Sequence, residues 1–210
     1  MTAGHKTVTS AHPDRFLLGI GVSHQVAVEN LLGGEYSKPL TTMRRYLDAM
    51  DSARYFAAPP PTERQRGRAA LGPKMLELAR DRAGGAHPYF VPVEHTPVAR
   101  EILGPDKLLC PEQAVVLESD PTTARGIARA HMATYLGLPN YTNNLKRFGW
   151  TDDDIADGGT DALVDAIVAW GSTDDVVKRI NAHHGAGAGL LDARHQPRRL
   201  HPPGPLQGRG

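Results

Sequence analysis

The chain has 210 residues, 40% of them apolar, and 24 Lys and Arg against 23 Asp and Glu give a formal net charge of +1. That length suits one large domain or two small ones, and the charge balance argues against a nucleic-acid or membrane-surface protein. The lone Cys110 excludes an internal disulfide and a cysteine-based zinc cluster; no apolar run approaches the roughly 20 residues that span a bilayer, and the N-terminus lacks a signal-peptide core, so a cytoplasmic protein is expected.

The first clear element is "DRFLLGIGVSHQ", residues 14–25. Phe16, Leu17, Leu18, Ile20 and Val22 form a nearly unbroken apolar run, the pattern of a parallel strand covered on both faces. Ser23 and His24 follow as a polar loop. Leu40, Met43, Leu47 and Met50 then recur at spacings of three and four, marking the apolar face of a helix. The proline- and arginine-rich stretch at 56–68 has no periodicity and reads as a linker; without aromatics among its arginines it is a poor nucleic-acid surface.

A short strand is expected at 68–72, followed by a helix with Pro73 in its first turn and Gly84-Gly85 at its end. "AHPYFVP" (86–92) reads as a buried strand, and Thr96-Pro97 opens a helix that Gly104-Pro105 stops. "EQAVVLE" (112–118) is the fourth strand. Asp120 caps a helix from Pro121 to Leu136, ended by Gly137. From there helices alone are expected: one behind Thr151 and its three aspartates, one over Asp161–Trp170, and one from a Ser172/Asp175 capping box to Gly185. Residues 186–210, rich in Gly, Pro, Arg and His, read as a disordered tail behind a domain over 1–185.

Four strand–helix units imply an α/β fold with a parallel sheet and right-handed crossovers, either doubly wound or a barrel, though four strands are too few to close a barrel. Gly19-Ile20-Gly21 does not complete a dinucleotide fingerprint, because the third glycine position is His24 and no helix follows at once.

"RFLLGIGVSH", "ALGPKMLELARDRAGGAHPYFVPVEHTPVAREILGPD" and "DALVDAIVAWGSTDDVVKRINAHHGAGA" resemble the luciferase-like (LLM class) oxidoreductases, specifically the branch using a deazaflavin, coenzyme F-420. The resemblance covers about residues 1–188. It implies a (β/α)8 TIM barrel and hydride transfer between the deazaflavin and an unknown organic substrate. An FMN-dependent monooxygenase of the same superfamily is the alternative, and an inactive truncated product is another. On this resemblance the strand at Phe16–Val22 is the barrel's fourth, "MTAGHKTVTSAHPD" ends the preceding helix, and the first three strands lie upstream of Met1. Nothing strand-like stands where the last strand belongs, and a shifted reading frame would account for such a tail. The family's hydride-handling residues from the first strands have no counterpart positions here.

The resemblance also sets the site expectations. Gly21, Val22, Ser23 and His24 would lie beside the cofactor ring, and Tyr89 and Val91 would line the pocket or equally pack in the core. Glu94, His95 and Thr96 would present a helix N-terminus to the cofactor's phosphodiester, although Thr96 could equally cap that helix. His24 is the candidate general base, with no partner legible; alone, Ser23 and His24 read equally as a solvated loop. His87 reads as a satisfied strand histidine and Cys110 as a packing thiol. His183-His184, about 100° apart on a helix, suits the helix C-terminus better than a metal, and no metal site is expected. A small-molecule substrate and no nucleic-acid or membrane partner follow, and a homo-oligomer is compatible.

Overall fold

The computed structural model describes residues 1–13, 15–58 and 67–196. Helix α1 (Thr2–Ala11) leads into strand β1 (Gly19–Ile20), a π-helical turn at Ala27–Leu31, and helix α2 (Pro39–Ser52). β2 (Gly67–Arg68), α3 (Pro73–Arg82), β3 (Gly85–Ala86) and α4 (His95–Leu103) continue the strand–helix alternation. β4 (Leu108–Leu109) and β5 (Glu112–Val116) precede a helical block of α5 (Pro121–Leu136), α6 (Pro139–Arg147), α7 (Asp152–Ile155) and α8 (Asp161–Ile167). β6 (Val168–Trp170), α9 (Thr173–Gly185) and β7 (Asp192–His195) complete the described chain.

All strand pairs are parallel. One sheet runs β1-β2-β3-β4 and the other β6-β5-β7. Gly85 sits in register with Leu108, and a Cβ there would collide with the Leu108 carbonyl, so the close approach of β3 and β4 requires glycine. The sheets meet through residues 108–116. The Cys110 and Glu112 N–H groups donate to Ala86 and Pro88 at 2.9 Å on the β3 side, while Gly189 and Asp192 donate to Leu109 and Pro111 on the other. Beyond Phe90 the chain of β3 turns away, and β6 takes its place beside β5.

The expected α/β class with parallel strands is present; the described strands make two small sheets that do not close into a barrel. Three expectations need correction. The first strand is not covered on both faces. Ile20 packs on Met43, Leu47 and Met50 of α2, while Leu17 is exposed and Phe16, Leu18 and Val22 are only half-buried. The Asp161–Trp170 segment is not all helix, because Val168, Ala169 and Trp170 leave it to pair with Ala114, Val115 and Val116. β-branched and aromatic residues gain more in a buried ladder than in a last helical turn.

The third correction concerns the tail. Residues 192–195 are not irregular but pair with Glu112–Val115, and β5 supplies the free edge that makes a strand of so polar a segment. Of the tail, 197–210 lie outside the described residues, as do 59–66 of the expected linker. The caps fall where the sequence places them: Asp120 accepts the Thr123 N–H, and Thr151/Asp154 and Ser172/Asp175 form reciprocal capping boxes. Among the described residues no helix is long and apolar enough to cross a membrane.

Candidate functional site

The C-terminal ends of β1, β2 and β3 open into a cavity of about 580 Å3. Gly21, Val22, Ser23 and His24 line it from the loop after β1, Ala69 to Gly72 from the segment after β2, and His87 and Tyr89 from the segment after β3. Gly21 passes close to β2, where a Cβ would stand 3.2 Å from that of Ala69. Ser23 holds a φ of +63°, uncommon for a residue with a side chain, and its carbonyl accepts the Tyr36 hydroxyl at 3.4 Å. Five of the expected site residues, Gly21 to His24 and Tyr89, therefore share one space.

The remaining four do not. Val91 is buried, Glu94 is exposed, and His95 and Thr96 are 1% and 0% exposed without lining the cavity. Thr96 does not cap its helix either; its hydroxyl pairs with His183 Nδ1 at 2.8 Å. His95 Nε2 meets the Leu71 carbonyl at 2.9 Å, and burial lowers its pKa. These side chains fasten α4 to its neighbours instead of facing a ligand.

The histidines part ways. His24 packs its ring 5.4 Å from that of Tyr141 and its buried Nδ1 has no hydrogen-bond partner, so among the described residues no carboxylate orients it as a base. His87 is not buried but lines the cavity, Nδ1 against the Cys110 carbonyl at 2.6 Å and Nε2 3.8 Å from Asp192. His183 does not serve its helix terminus as expected: it is fully buried between Thr96 and Gln113, and burial takes its pKa down to about 4. His184 does stay at that terminus, its Nδ1 meeting the Ala188 carbonyl at 3.0 Å.

Tyr89 and Tyr141 make the cavity's aromatic wall. The Tyr89 hydroxyl lies 2.9 Å from that of Tyr135, and burial first, then this bond, raises the Tyr89 pKa. Burial likewise pushes Tyr141 up to about 12. Both phenols therefore stay neutral hydrogen-bonding groups at any ordinary pH.

Sequence reasoning missed the wall opposite. Helix α6 was not expected; it brings Asn140, Tyr141, Asn143 and Arg147 to the cavity. Arg147 makes no hydrogen bond or ion pair among the described residues, and its guanidinium lies against Gly72, where a Cβ would come within 2.9 Å of it. Gly72 is the extended N-cap of α3, Pro73 follows, and no side chain caps that helix. A second cavity of about 480 Å3 adjoins here, sharing Arg147 and Gly72 and adding Lys74. No Asp or Glu among the described residues lines either space. An uncapped helix N-terminus, an unpaired guanidinium and a lysine make this end attractive to an anion. Leu138-Pro139 was the legible signal for α6, since proline favours a first helical turn. Among the described residues no cluster of three or more His, Cys, Asp or Glu could hold a metal.

No family model matches the chain, and no characterised protein matches it in sequence. Solved structures do match in fold. A secondary alcohol dehydrogenase dependent on F-420, in complex with an F-420–acetone adduct, superposes at a TM-score of 0.70 and 11% identity, over 93% of this chain and 68% of that one. The F-420-dependent tetrahydromethanopterin reductase of Methanopyrus kandleri gives 0.68 at 15% identity, over 93% and 72%. The FMN-bound oxygenating constituent of 3,6-diketocamphane monooxygenase from Pseudomonas putida, a type II Baeyer–Villiger enzyme, gives 0.62 at 16%, over 92% and 68%. The fold they share with this chain is the luciferase-like one.

Proposed function

We propose that the chain is a luciferase-like oxidoreductase whose cavity takes a phosphate-bearing flavin-type cofactor, F-420 as first choice and FMN as the alternative, for hydride exchange with a small organic substrate. The observation that carries this reading is the cavity's division into two ends: a cationic, uncapped end at Gly72, Lys74 and Arg147, and an aromatic end at His24, Tyr89 and Tyr141, with no carboxylate among the described residues between them. The three solved structures named above are described with F-420 or FMN, which supports the same class of ligand.

When bound, such a cofactor supplies the ring that gives or takes a hydride. The chain's own part is placement. Arg147 and Lys74 at the start of α3 would hold the phosphate, and Gly72 lets the backbone come close because it carries no side chain. Tyr89 and Tyr141 would wall the ring and keep water from it, and the loop at Ser23 and His24 would close its edge. Glu94, His95 and Thr96 have no part in this arrangement.

Titration of the full chain with F-420, FMN and riboflavin tests the reading. The expected result is that F-420 or FMN binds at least about tenfold tighter than riboflavin, which has no phosphate, and that Arg147→Ala removes the difference. Equal binding of riboflavin, or no binding of either phosphate-bearing cofactor, would overturn it.

A further inference from the structure

Glu112 opens β5 in register with Asp192 of β7. It is 2% exposed and lies outside the cavity lining. Its Oε1 has no hydrogen-bond partner, while Oε2 accepts the Phe90 N–H at 3.4 Å. Phe90 is 1% exposed and sits at a φ of +57°, a left-handed conformation that a bulky side chain rarely adopts. Such strain persists where the surroundings over-determine it, and it concentrates at ligand clamps. Here two things hold it. The Phe90 ring packs 5.0 Å from Tyr135 and 5.5 Å from Tyr141, and Glu112 takes its amide. The residue immediately before this turn is Tyr89, which lines the cavity.

We infer that Glu112 is a positioning residue for the cavity: by holding the Phe90 amide it fixes the turn that presents Tyr89 to a ligand. The inference rests on the reading of that cavity as the ligand site.

The surroundings make the carboxyl responsive. Tyr89 faces it from β3, Tyr141 from α6, and Asp192 and Arg194 from β7, with Tyr135 and His131 of α5 behind Tyr89. Asp192 is in turn near His87. Arg194 is committed to Asp192 at 2.7 Å and stands 5.4 Å over the Tyr89 ring, so Glu112 has no cation of its own. Burial pushes its pKa up to about 7, against the opposing pull of the Phe90 amide and Arg194. Loss of its proton would tighten the bond to Phe90 and draw Arg194 off the Tyr89 ring.

Nuclear magnetic resonance on the full chain without ligand tests this. In the unmodified protein the Tyr89 ring resonance should shift with a midpoint near pH 7, and in Glu112→Gln, which keeps an acceptor but cannot ionise, it should be flat. In Glu112→Leu the Phe90 amide should exchange at least about tenfold faster while the Ala114 and Val116 amides are unchanged, which a general loosening of β5 would not spare. A Tyr89 resonance that titrates alike in Glu112→Gln, or is flat in the unmodified protein, overturns the proposal. So does a Phe90 amide indifferent to Glu112→Leu; if that variant does not fold, the glutamine arm decides alone. Failure of F-420 and FMN to bind would count against the cofactor reading, not against these two readouts.

Discussion

Thr96 and His183, 87 residues apart in the chain, meet at 2.8 Å and join α4 to α9 in the interior. The tautomer follows from the partners. Gln113 spends its amide N–H groups on the Ala114 and Ile167 carbonyls, so its Oε1 can only accept, from His183 Nε2–H at 3.1 Å. His183 Nδ1 must then accept from the Thr96 hydroxyl. A neutral imidazole satisfies every member of this chain of bonds.

The His183 pKa, taken by burial from 6.5 to about 4, sets an acid limit. The unfolded chain binds a proton below 6.5 and the folded chain does not, so stability is full above pH 6.5 and falls as pH drops toward 4, by about 3 kcal/mol. His183→Leu should cost about 2–5 kcal/mol at pH 7, because it strands the Thr96 hydroxyl and the Gln113 carbonyl. Chemical denaturation checks both, the second directly at pH 7 and the first as a rise of stability with pH once Glu112 no longer titrates.

Glu112 works in the opposite sense. Its folded pKa is raised from 4.5 to about 7, so the folded state holds a proton the unfolded state has lost, and stability falls as pH rises from 4.5 to 7 by about 3 kcal/mol. Between pH 4.5 and 6.5 the two groups nearly cancel. Glu112→Gln should uncover the His183 slope, with stability rising with pH, and His183→Leu should uncover the falling one. Two parallel, flat profiles would contradict the linkage at both residues.

Gly85→Ala should destabilise by about 1–3 kcal/mol, at the upper end, because the new Cβ meets a backbone carbonyl of the neighbouring strand that cannot swing aside. Gly104→Ala offers a contrast: that glycine has a positive φ but open space around it, so only backbone strain is at stake. Thermal melts of the two variants should rank them in that order.

Arg147→Glu should weaken F-420 or FMN binding by well over tenfold while leaving the melting temperature within about 2 °C, since the guanidinium makes no ion pair or hydrogen bond among the described residues. The unmodified protein's affinity should fall with added salt more steeply than that of Arg147→Ala. A binding curve measured at two ionic strengths is sufficient.

What the sequence disclosed was local. The caps at Asp120, Thr151 and Ser172 and the loop at Ser23-His24 follow from residues within three or four positions of one another, and all are where reading placed them. β6 and β7 were hidden because Val168–Trp170 and Asp192–His195 become strands only beside β5, a neighbour remote in sequence. The resemblance points to Glu94–Thr96 for the phosphodiester because that segment opens a helix, and the sequence does not show that the helix start at Gly72 lines the cavity instead. Glu94–Thr96 follow the turn at Phe90 and do not line the cavity, and nothing in "HPYFVPV" announces a left-handed phenylalanine.

Residues 108–116 carry one further consequence. Pro111 has no N–H to give, yet its carbonyl anchors Asp192 and the stretch around it touches β3, β6 and β7 in turn. This single run of chain is a splint shared by both sheets, and neither can slide a residue along it without dragging the other. A slip of one place would swap inside for outside at every side chain, and the carboxyl of Glu112 would leave the interior together with the tyrosine it steadies. Alignment of the cavity is thereby tied to a feature well outside it, so wear at the splint should be felt as a change of the cavity's shape before it is felt as a loss of fold.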